Sequence, residues 1–405
     1  MSDKTSVSKR VFFGQNLFLL TTLALGHTLM HCFQQGWYII LPSAKETFGL
    51  NDLQYGGIES IRSASSTAVQ IPSGMISDML RKQWRIFVAS ALFGVGLAYT
   101  VLGLANHYGT VLFAAVLIGV SIALWHPPAL SVLSARLAER RGLALSIHGM
   151  GGNLGNTVGP ALIGVIIGAL AWQKAAWIMA LPMMAFAILL WRLLTHVQGR
   201  EGAGVAGKNY ISTLFGLLKN RVIMGLIISG GVRAMGTVSI FTFFPLYCRE
   251  DLGFSPVKAG LYLSTMMASG IASQPILGYL SDKFGRKVVL IPSLLLMSFF
   301  EIILVWAGSG VGLILVALCI GLFIYALGAI IQAAVMDVAP EEAGATTIAI
   351  LFGSSALFTI PSPTIAGWLS EGYGTPFVFI YSGGLVLLSA LLLMFLPIDQ
   401  KTRSG

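Results

Sequence analysis

The chain has 405 residues, of which 56% are hydrophobic and only 10% are charged, and its formal net charge is +9. A soluble domain carries roughly a quarter charged residues, so this composition excludes an ordinary soluble protein. The apolar residues occur in long runs, often near the ~20 residues that a helix needs to cross a bilayer, without the short alternating segments of a membrane β-barrel. The sequence therefore predicts an all-α polytopic membrane protein.

Twelve apolar runs follow one another along the chain, and we number them as spans 1 to 12. Six are centred near residues 28, 63, 95, 123, 157 and 182, and six near residues 234, 268, 297, 323, 356 and 386. Between the sixth and the seventh lies HVQGREGAGVAGKNY, whose polar, glycine-rich composition is typical of a flexible linker. We expect a six-helix bundle over residues 1–195, a cytoplasmic linker over 196–220 and a second six-helix bundle over 221–405.

The lysines and arginines predict the orientation of the spans. Most of the 25 lie at the N-terminus, in two charged turns at 78–87 and 282–287, in the loop 136–141, in the linker and at the C-terminus. Because cytoplasmic loops are enriched in Lys and Arg, we expect both termini in the cytoplasm, with the chain in a bacterial inner (plasma) membrane. The positive charge then reflects membrane topology, and no nucleic-acid partner is expected.

Histidines are prominent among the polar residues of the spans. HTLMH in span 1 places His27 and His31 on one helix face with Gln34. These side chains either contact a substrate or hydrogen-bond to a neighbouring helix, and His31 is a candidate carrier of a coupled proton. His126, in WHPP of span 4, either lines a cavity or is a satisfied structural histidine, and His148 in span 5 is expected to be structural. No metal site is expected, because no acidic residue accompanies the span 1 pair in an H-E-x-x-H pattern.

Charged residues inside the spans are the other functional candidates. A charge at the bilayer centre costs ~2.5–3.5 kcal/mol even on the milder insertion scales. In span 2, Glu59 and Arg62 are three residues apart, so they form a structural ion pair, or else Arg62 contacts an anionic substrate and Glu59 carries a proton. Arg233 in span 7 either faces a substrate cavity or pairs with a carboxylate. Glu301 in span 9 is expected near the outer membrane interface, with its carboxylate extending towards water. Weaker candidates lie in span 10: Tyr325 and Gln332 for the substrate, and Asp337 for the proton.

A charged turn occurs once in each half of the chain, as GMISDMLRKQ from Gly74 and as GYLSDKFGRK from Gly278. This repetition predicts two related six-helix units, which is one of the known plans of transporters. The charges either form a latch that is made in one conformation and broken in the other, or they only terminate helices and fix topology. The latch residues would be Gly74, Asp78, Arg81 and Lys82 in the first copy, and Gly278, Asp282, Gly285, Arg286 and Lys287 in the second.

The second copy matches G-x-x-x-D-x-x-G-R-K, the turn between helices 2 and 3 of the major facilitator superfamily, and the chain resembles that superfamily over essentially its whole length. The first copy departs from the pattern, with Arg81 and Lys82 where the family has Gly and Arg. The resemblance implies twelve transmembrane helices in two pseudo-symmetric six-helix bundles, a monomer, and transport by alternating access. It also implies a central cavity lined by spans 1, 4, 7 and 10, which places Arg233 on a cavity-lining span.

Span 5 contains GNTVGPALIG, which is similar to the G-x-x-x-G-P element typical of the family's exporters. Its marked residues are Gly155, Gly159, Pro160 and Gly164. Glycines at this spacing form a smooth face for close packing and the proline adds a kink, although ordinary membrane-helix packing would use them in the same way. The longer stretch from His126 to Pro160 resembles the fosmidomycin-resistance branch. The chain departs from many proton-coupled drug exporters, which have an Arg in span 4 and an acidic residue in span 1.

These features favour a secondary active exporter of small organic molecules, drug-like or fosmidomycin-like, driven by the proton gradient without a bound cofactor. The alternative is a proton symporter that takes up a small organic anion on the same fold. An enzyme is not expected, because no paired nucleophile and base occur at helical spacing, and neither does a metal triad. The chain also lacks G-x-x-x-x-G-K-[ST], so an ATP-driven pump is not expected.

Overall fold

The structure is a computed structural model that describes residues 2–79, 83–196, 216–217, 219–339 and 344–398. Most of the predicted linker lies outside the described residues. The first charged turn is also largely outside them, since only the backbone of Gly74 and Asp78 is described and Arg81 and Lys82 are not. The second charged turn is described in full.

The described residues form helices joined by short connections, and no strand is present among them. Nine stretches of the described chain are long and apolar enough to cross a membrane. The predicted all-α fold with twelve spans is confirmed, with span 11 divided into two helices at residues 360–361. The helices are α1 (Ser2–Phe48), α2 (Asp52–Met79), α3 (Trp84–Gly103), α4 (Tyr108–Arg136), α5 (Arg141–Ala169), α6 (Trp172–Leu193), α7 (Arg221–Glu250), α8 (Pro256–Phe284), α9 (Arg286–Ile303), α10 (Val311–Val338), α11 (Gly344–Thr359), α12 (Ser362–Tyr373) and α13 (Pro376–Met394).

Local side-chain chemistry explains several helix boundaries. α2 begins with a capping box, in which the Gln54 N–H donates to Asn51 Oδ1 over 2.8 Å and the Asn51 N–H donates to Gln54 Oε1 over 3.1 Å. Asn220 caps the N-terminus of α7, because its Oδ1 accepts from two backbone N–H groups of the first turn. α8 ends at Gly285, where φ is +102°, a backbone conformation that residues with a Cβ rarely adopt.

The chain divides into two compact units. The first comprises Met1–Trp37 and Ser65–Gly204, and the second comprises Tyr38–Ala64 and Val205–Gly405. α1 and α2 each contribute to both units, so the second unit contains the end of α1 and the beginning of α2. The two units are defined by how their residues pack together. The two six-helix bundles expected from the sequence, ending at residue 195 and beginning at residue 221, stay a prediction.

In the first unit, α3 packs against α4 and α6, and α5 packs against α1. Hydrogen bonds from polar side chains also connect the helices of this unit. The Tyr99 hydroxyl on α3 donates to the backbone carbonyl of Phe33 on α1 over 2.6 Å, and the Ser73 hydroxyl on α2 donates to the carbonyl of Ala123 on α4 over 3.0 Å. Bonds of this kind replace the hydrophobic driving force that is missing between helices in lipid.

In the second unit, α7 packs against α11, α12 and α13, while α8 packs against α10. Serine hydroxyls again link the helices: the Ser229 hydroxyl on α7 lies 2.7 Å from that of Ser389 on α13, and Ser298 on α9 donates to the Gly383 carbonyl over 2.7 Å. The segment from α2 joins this unit through Tyr55, whose hydroxyl donates to the carbonyl of Thr242 over 2.7 Å. The helix segments of the second unit also carry the charged side chains that lie inside the spans.

Candidate functional site

Four imidazole rings meet in the first unit, at the packing of α1, α4 and α5. The centroid of the His27 ring lies 4.5 Å from that of His31, 5.2 Å from that of His126 and 4.0 Å from that of His148. One nitrogen from each of His27, His31 and His126 lies within 4.8 Å of the other two. The structure thus brings together the two histidine candidates of span 1 and the one of span 4, and it adds His148.

Hydrogen bonds fix two of these rings. His27 Nδ1 lies 2.7 Å from the backbone carbonyl oxygen of His148, and His31 Nδ1 lies 2.8 Å from the side-chain oxygen of Asn156. His27 is 7% exposed, and its Nε2 has no hydrogen-bond partner among the described residues. His27 and His31 are therefore each held in place through their Nδ1 nitrogen.

The glycine face of α5 packs directly on α1, as its spacing predicts. A Cβ added at Gly155 or Gly159 would overlap the backbone of α1 at Thr28 or Cys32. A Cβ at Gly152 would lie 2.7 Å from the Cε1 atom of His27, so the position of that ring depends on a glycine at residue 152. The close approach agrees with ordinary membrane-helix packing, and an exporter-specific role for Pro160 and Gly164 stays a prediction.

In the second unit, Glu59 and Arg62 form the ion pair that their spacing predicts. The carboxylate is fully buried and accepts from Arg62 Nε at Oε2 over 2.7 Å and from Arg62 Nη2 at Oε1. Tyr38 of α1 completes the group, because its hydroxyl donates to Glu59 Oε1 over 3.1 Å. The bidentate geometry favours the structural interpretation of the pair over Arg62 as a substrate contact.

Arg233 on α7 has far fewer partners. Its Nη1 lies 3.3 Å from the hydroxyl of Thr237 one turn later, and its Nε is buried without a hydrogen-bond partner among the described residues. The carboxylate of Glu301 on α9 lies within electrostatic range of this guanidinium, but the two form no ion pair among the described residues. Arg233 is therefore a guanidinium inside a span, and the described residues satisfy only part of its N–H donors.

Glu301 itself differs from the expectation. It lies near the end of α9, but its carboxylate does not extend towards water: the residue is 0% exposed, and Oε2 accepts from the Ser382 hydroxyl on α13 over 2.7 Å. Its other oxygen, Oε1, has no hydrogen-bond partner in the part of the chain that the structure describes. The expectation was wrong because the position of a residue along a helix does not say which face it occupies.

The second charged turn is a network around Arg286. The guanidinium donates to Asp282 one turn earlier, to the Ser281 hydroxyl over 2.8 Å and, through Nε, to Asp337 on α10 over 2.9 Å. Asp337, predicted as a proton carrier, is therefore an ion-pair partner here. Lys287 donates to two backbone carbonyls at the end of α13. A Cβ at Gly278 would meet no described atom within 4 Å, so this glycine makes no close helix contact among the described residues.

The remaining predicted candidates are partly buried. Gln34 Oε1 has no hydrogen-bond partner among the described residues, and the Tyr325 hydroxyl lies 3.2 Å from the sulfur of Met267. Gln332 is half-buried on α10. The roles predicted for these three residues in substrate binding stay predictions.

Comparison with known proteins places the chain in a family. The sequence profile described as Major Facilitator Superfamily matches residues 23–273 and again residues 226–405. The fosmidomycin resistance protein of Escherichia coli (strain K12) is 28% identical over 310 residues, which cover 75% of this chain and 73% of that protein. The uncharacterized MFS-type transporter YfnC of Bacillus subtilis (strain 168) is 26% identical over 396 residues, which cover 95% of this chain and 94% of that protein.

Solved structures show the same fold. The nucleoside transporter NupG aligns with a TM-score of 0.78 at 14% identity, covering 93% of this chain and 98% of that chain. A bacterial homologue of the human lysosomal transporter Spinster, in an inward-facing and occupied conformation, aligns with a TM-score of 0.76 at 15% identity, covering 93% of this chain and 96% of that chain. At these identities the likeness shows the fold alone.

Twelve helical spans in two related halves, with charged groups buried inside them, are the plan of a membrane transporter. The chain belongs to the major facilitator superfamily, and the resemblance drawn from its repeated turn is confirmed. The two-bundle fold of that family agrees with the predicted fold class.

Proposed function

We propose that this transporter exports small organic molecules, including anionic or phosphonate-like compounds such as fosmidomycin, by proton antiport and alternating access. The fosmidomycin resistance protein of Escherichia coli supports the substrate class and the direction, and GNTVGPALIG on α5, which is similar to an element typical of exporters, agrees with that direction. The alternative, uptake of a small organic anion by proton symport, would use the same charged groups and is separated from export by the direction of flux.

Arg233 is the observation that carries the choice of an anionic substrate. A guanidinium inside a span is costly unless its donors are satisfied, and Arg233 Nε has no partner among the described residues. A carboxylate or phosphonate oxygen would accept from that donor and would also compensate the charge. Such a bond contributes about 1.5–3 kcal/mol, which corresponds to roughly a tenfold or larger change in affinity.

The proton gradient is the proposed energy source, and no bound cofactor or catalytic activity is part of the proposal. Of the three predicted proton carriers, Glu59 and Asp337 are in ion pairs and His31 is hydrogen-bonded to Asn156. Glu301 has a freer carboxylate, because one of its oxygens lacks a partner among the described residues. We therefore add Glu301 to the candidates for the coupled proton.

The membrane location and the orientation of the transporter are also part of what we propose. We place the protein in the inner membrane as a monomer, with both termini in the cytoplasm, in agreement with the distribution of its lysines and arginines. The network of Asp282, Arg286 and Asp337 would act as the latch on that side. Its partly exposed ion pairs are weak enough to break and re-form during a transport cycle.

The experiment is an accumulation assay in cells that lack their own exporters, with fosmidomycin and a panel of other small anionic and neutral drugs. Wild type is compared with Arg233→Gln, with Glu301→Gln and with Arg249→Gln, a control on the same helix that lies at its end. Each is measured with and without a protonophore.

We expect wild type to lower accumulation and the protonophore to abolish this effect. Arg233→Gln should reduce efflux of the anionic compounds about tenfold or more, Glu301→Gln should abolish the protonophore-sensitive part, and Arg249→Gln should behave as wild type. Higher accumulation in wild type would replace export by uptake. No change for any compound would overturn the proposed substrate class.

A further inference from the structure

The histidine cluster has a feature that transport of an organic anion does not explain. Imidazoles from three helices converge in the first unit, and a nitrogen from each of His27, His31 and His126 lies within 4.8 Å of the others. The i, i+4 pair on α1 supplies only two imidazoles. The third ligand comes from α4, which only the fold brings to the pair.

The hydrogen bonds of the cluster determine which ring nitrogens are lone-pair donors. A backbone carbonyl can only accept, so His27 Nδ1 must carry the proton that it shares with the carbonyl of His148 over 2.7 Å. In neutral His27 the lone pair is then on Nε2, which is buried and has no partner among the described residues. His31 Nδ1 likewise donates to the side-chain oxygen of Asn156 over 2.8 Å, which leaves the lone pair of neutral His31 on Nε2. Two Nε2 lone pairs are thereby directed away from the groups that fix the rings.

In metal-binding histidines, one ring nitrogen binds the metal and the other is hydrogen-bonded, and His27 and His31 have hydrogen bonds of this kind at Nδ1. Metal-binding histidines almost always donate their other ring N–H to a carbonyl or a carboxylate, which sets the tautomer and the direction of the free nitrogen. Here the His148 carbonyl and the Asn156 amide have that position. The third ring, His126, has an Nδ1 that is also buried without a partner among the described residues.

We propose that His27, His31 and His126 bind one divalent transition-metal ion, with Zn²⁺, Co²⁺ and Ni²⁺ as the class of ligand. Neutral imidazole suits these metals, whereas Mg²⁺ and Ca²⁺ require oxygen ligands, and no carboxylate belongs to the cluster among the described residues. Three histidines leave the fourth tetrahedral position open to water or to an anion. An anion in that position would reduce the charge that the site must hold inside the bundle.

The geometry is close to what a bound ion requires. Zinc–nitrogen bonds of about 2.0–2.1 Å place tetrahedral ligand atoms ~3.4 Å apart, so nitrogens now up to 4.8 Å apart must approach by roughly 1.4 Å at most. This approach requires small movements of the His31 and His126 side chains, both of which are only partly buried. His27 is the fixed ligand, held between the His148 carbonyl and Gly152.

The test is metal binding by the full-length protein, purified in detergent with an affinity tag that contains no histidine. Co²⁺ is titrated and its visible absorption is recorded, because tetrahedral and octahedral Co²⁺ differ in their d–d bands. Zn²⁺ affinity is measured by competition with a chromophoric chelator, and Mg²⁺ serves as the comparison ion. Folding of each variant is checked by size-exclusion chromatography.

The variants are His31→Ala, His126→Ala and Asn156→Ala, with His107→Ala as the matched control at the N-terminal end of α4. We expect one equivalent of Co²⁺ in wild type, displaced by Zn²⁺ and not by excess Mg²⁺. Removing either ligand should weaken Zn²⁺ binding at least 100-fold, removing the Asn156 amide should weaken it about 10–100-fold, and His107→Ala should leave it unchanged.

Absence of stoichiometric Co²⁺ or Zn²⁺ binding in wild type would overturn the proposal. So would equal affinity in wild type and in folded His31→Ala and His126→Ala variants. Because the readout is binding by purified protein, failure here leaves the export proposal intact. Failure of export likewise leaves the metal site intact.

Discussion

The buried group of Tyr38, Glu59 and Arg62 gives the sharpest test of how this transporter tolerates charge inside its helices. The perturbation is a set of variants: Arg62→Met, Glu59→Leu, the double variant, and the double variant with Tyr38→Phe. The side chains of Arg62 and Glu59 are 8% and 0% exposed, so neither charge has water to replace its partner. Each single substitution removes the ion-pair partner of the other buried charge, which costs about 3–5 kcal/mol of stability.

The double variant should be more stable than either single variant. Replacing a buried ion pair by apolar residues of similar volume is often neutral, because the desolvation cost of both charges disappears with their attraction. The Tyr38 hydroxyl then loses its acceptor, Glu59 Oε1, at a cost of about 1–3 kcal/mol. Adding Tyr38→Phe should remove that cost and bring stability closest to wild type.

The assay is thermal unfolding of purified protein in detergent, followed by tryptophan fluorescence. We expect the order of midpoints to be wild type and triple variant, then double variant, then the two single variants. A double variant that loses as much as the two single variants together would refute the reasoning. It would show that Arg62 and Glu59 are stabilised independently and that the bidentate contact is not what keeps them in the span.

Two further predictions concern the glycine face and the charged turn. Gly155→Ala should destabilise the protein by about 1–3 kcal/mol, because its Cβ would overlap backbone atoms of α1, whereas Gly149→Ala, which would meet no described atom within 4 Å, should be neutral in the same unfolding assay. Asp282→Ala should change stability by less than ~1 kcal/mol, since this carboxylate is 66% exposed, yet it should slow drug efflux several-fold if its pair with Arg286 is the latch. Efflux at the wild-type rate would remove the latch role, and a destabilised Gly149→Ala would remove the packing argument.

The sequence predicts those contacts that lie within one helix. The spacing of Glu59 and Arg62 brings them together on any α-helix, and the spacing of the glycines on α5 gives a continuous face before the partner helix is known. The residue types predict the turn at Gly285, and its positive φ explains the glycine. Local periodicity and local backbone geometry are sufficient for these features.

Contacts between distant helices could not be predicted in this way. His126 and His148 lie far from His27 in the chain, and their convergence depends on how α4 and α5 pack against α1. Glu301 shows the same limit, because only the packing of α9 on α13 turns its carboxylate towards Ser382. A lone charged residue in an apolar span indicates that a partner exists, but without the fold it does not say where.

The partners of Arg62 and Arg233 explain why two guanidinium groups in similar surroundings are assigned different roles. A substrate that bound Arg62 would have to displace a bidentate carboxylate and lose its stabilisation. At Arg233 an anion would add a partner to a buried Nε that has none among the described residues, and the guanidinium's other contact there is a single hydrogen bond to the Thr237 hydroxyl. The first arrangement resists substrate binding and the second favours it. The partners of each arginine, rather than its depth in the membrane, are therefore the basis for proposing that Arg233 and not Arg62 meets the transported molecule.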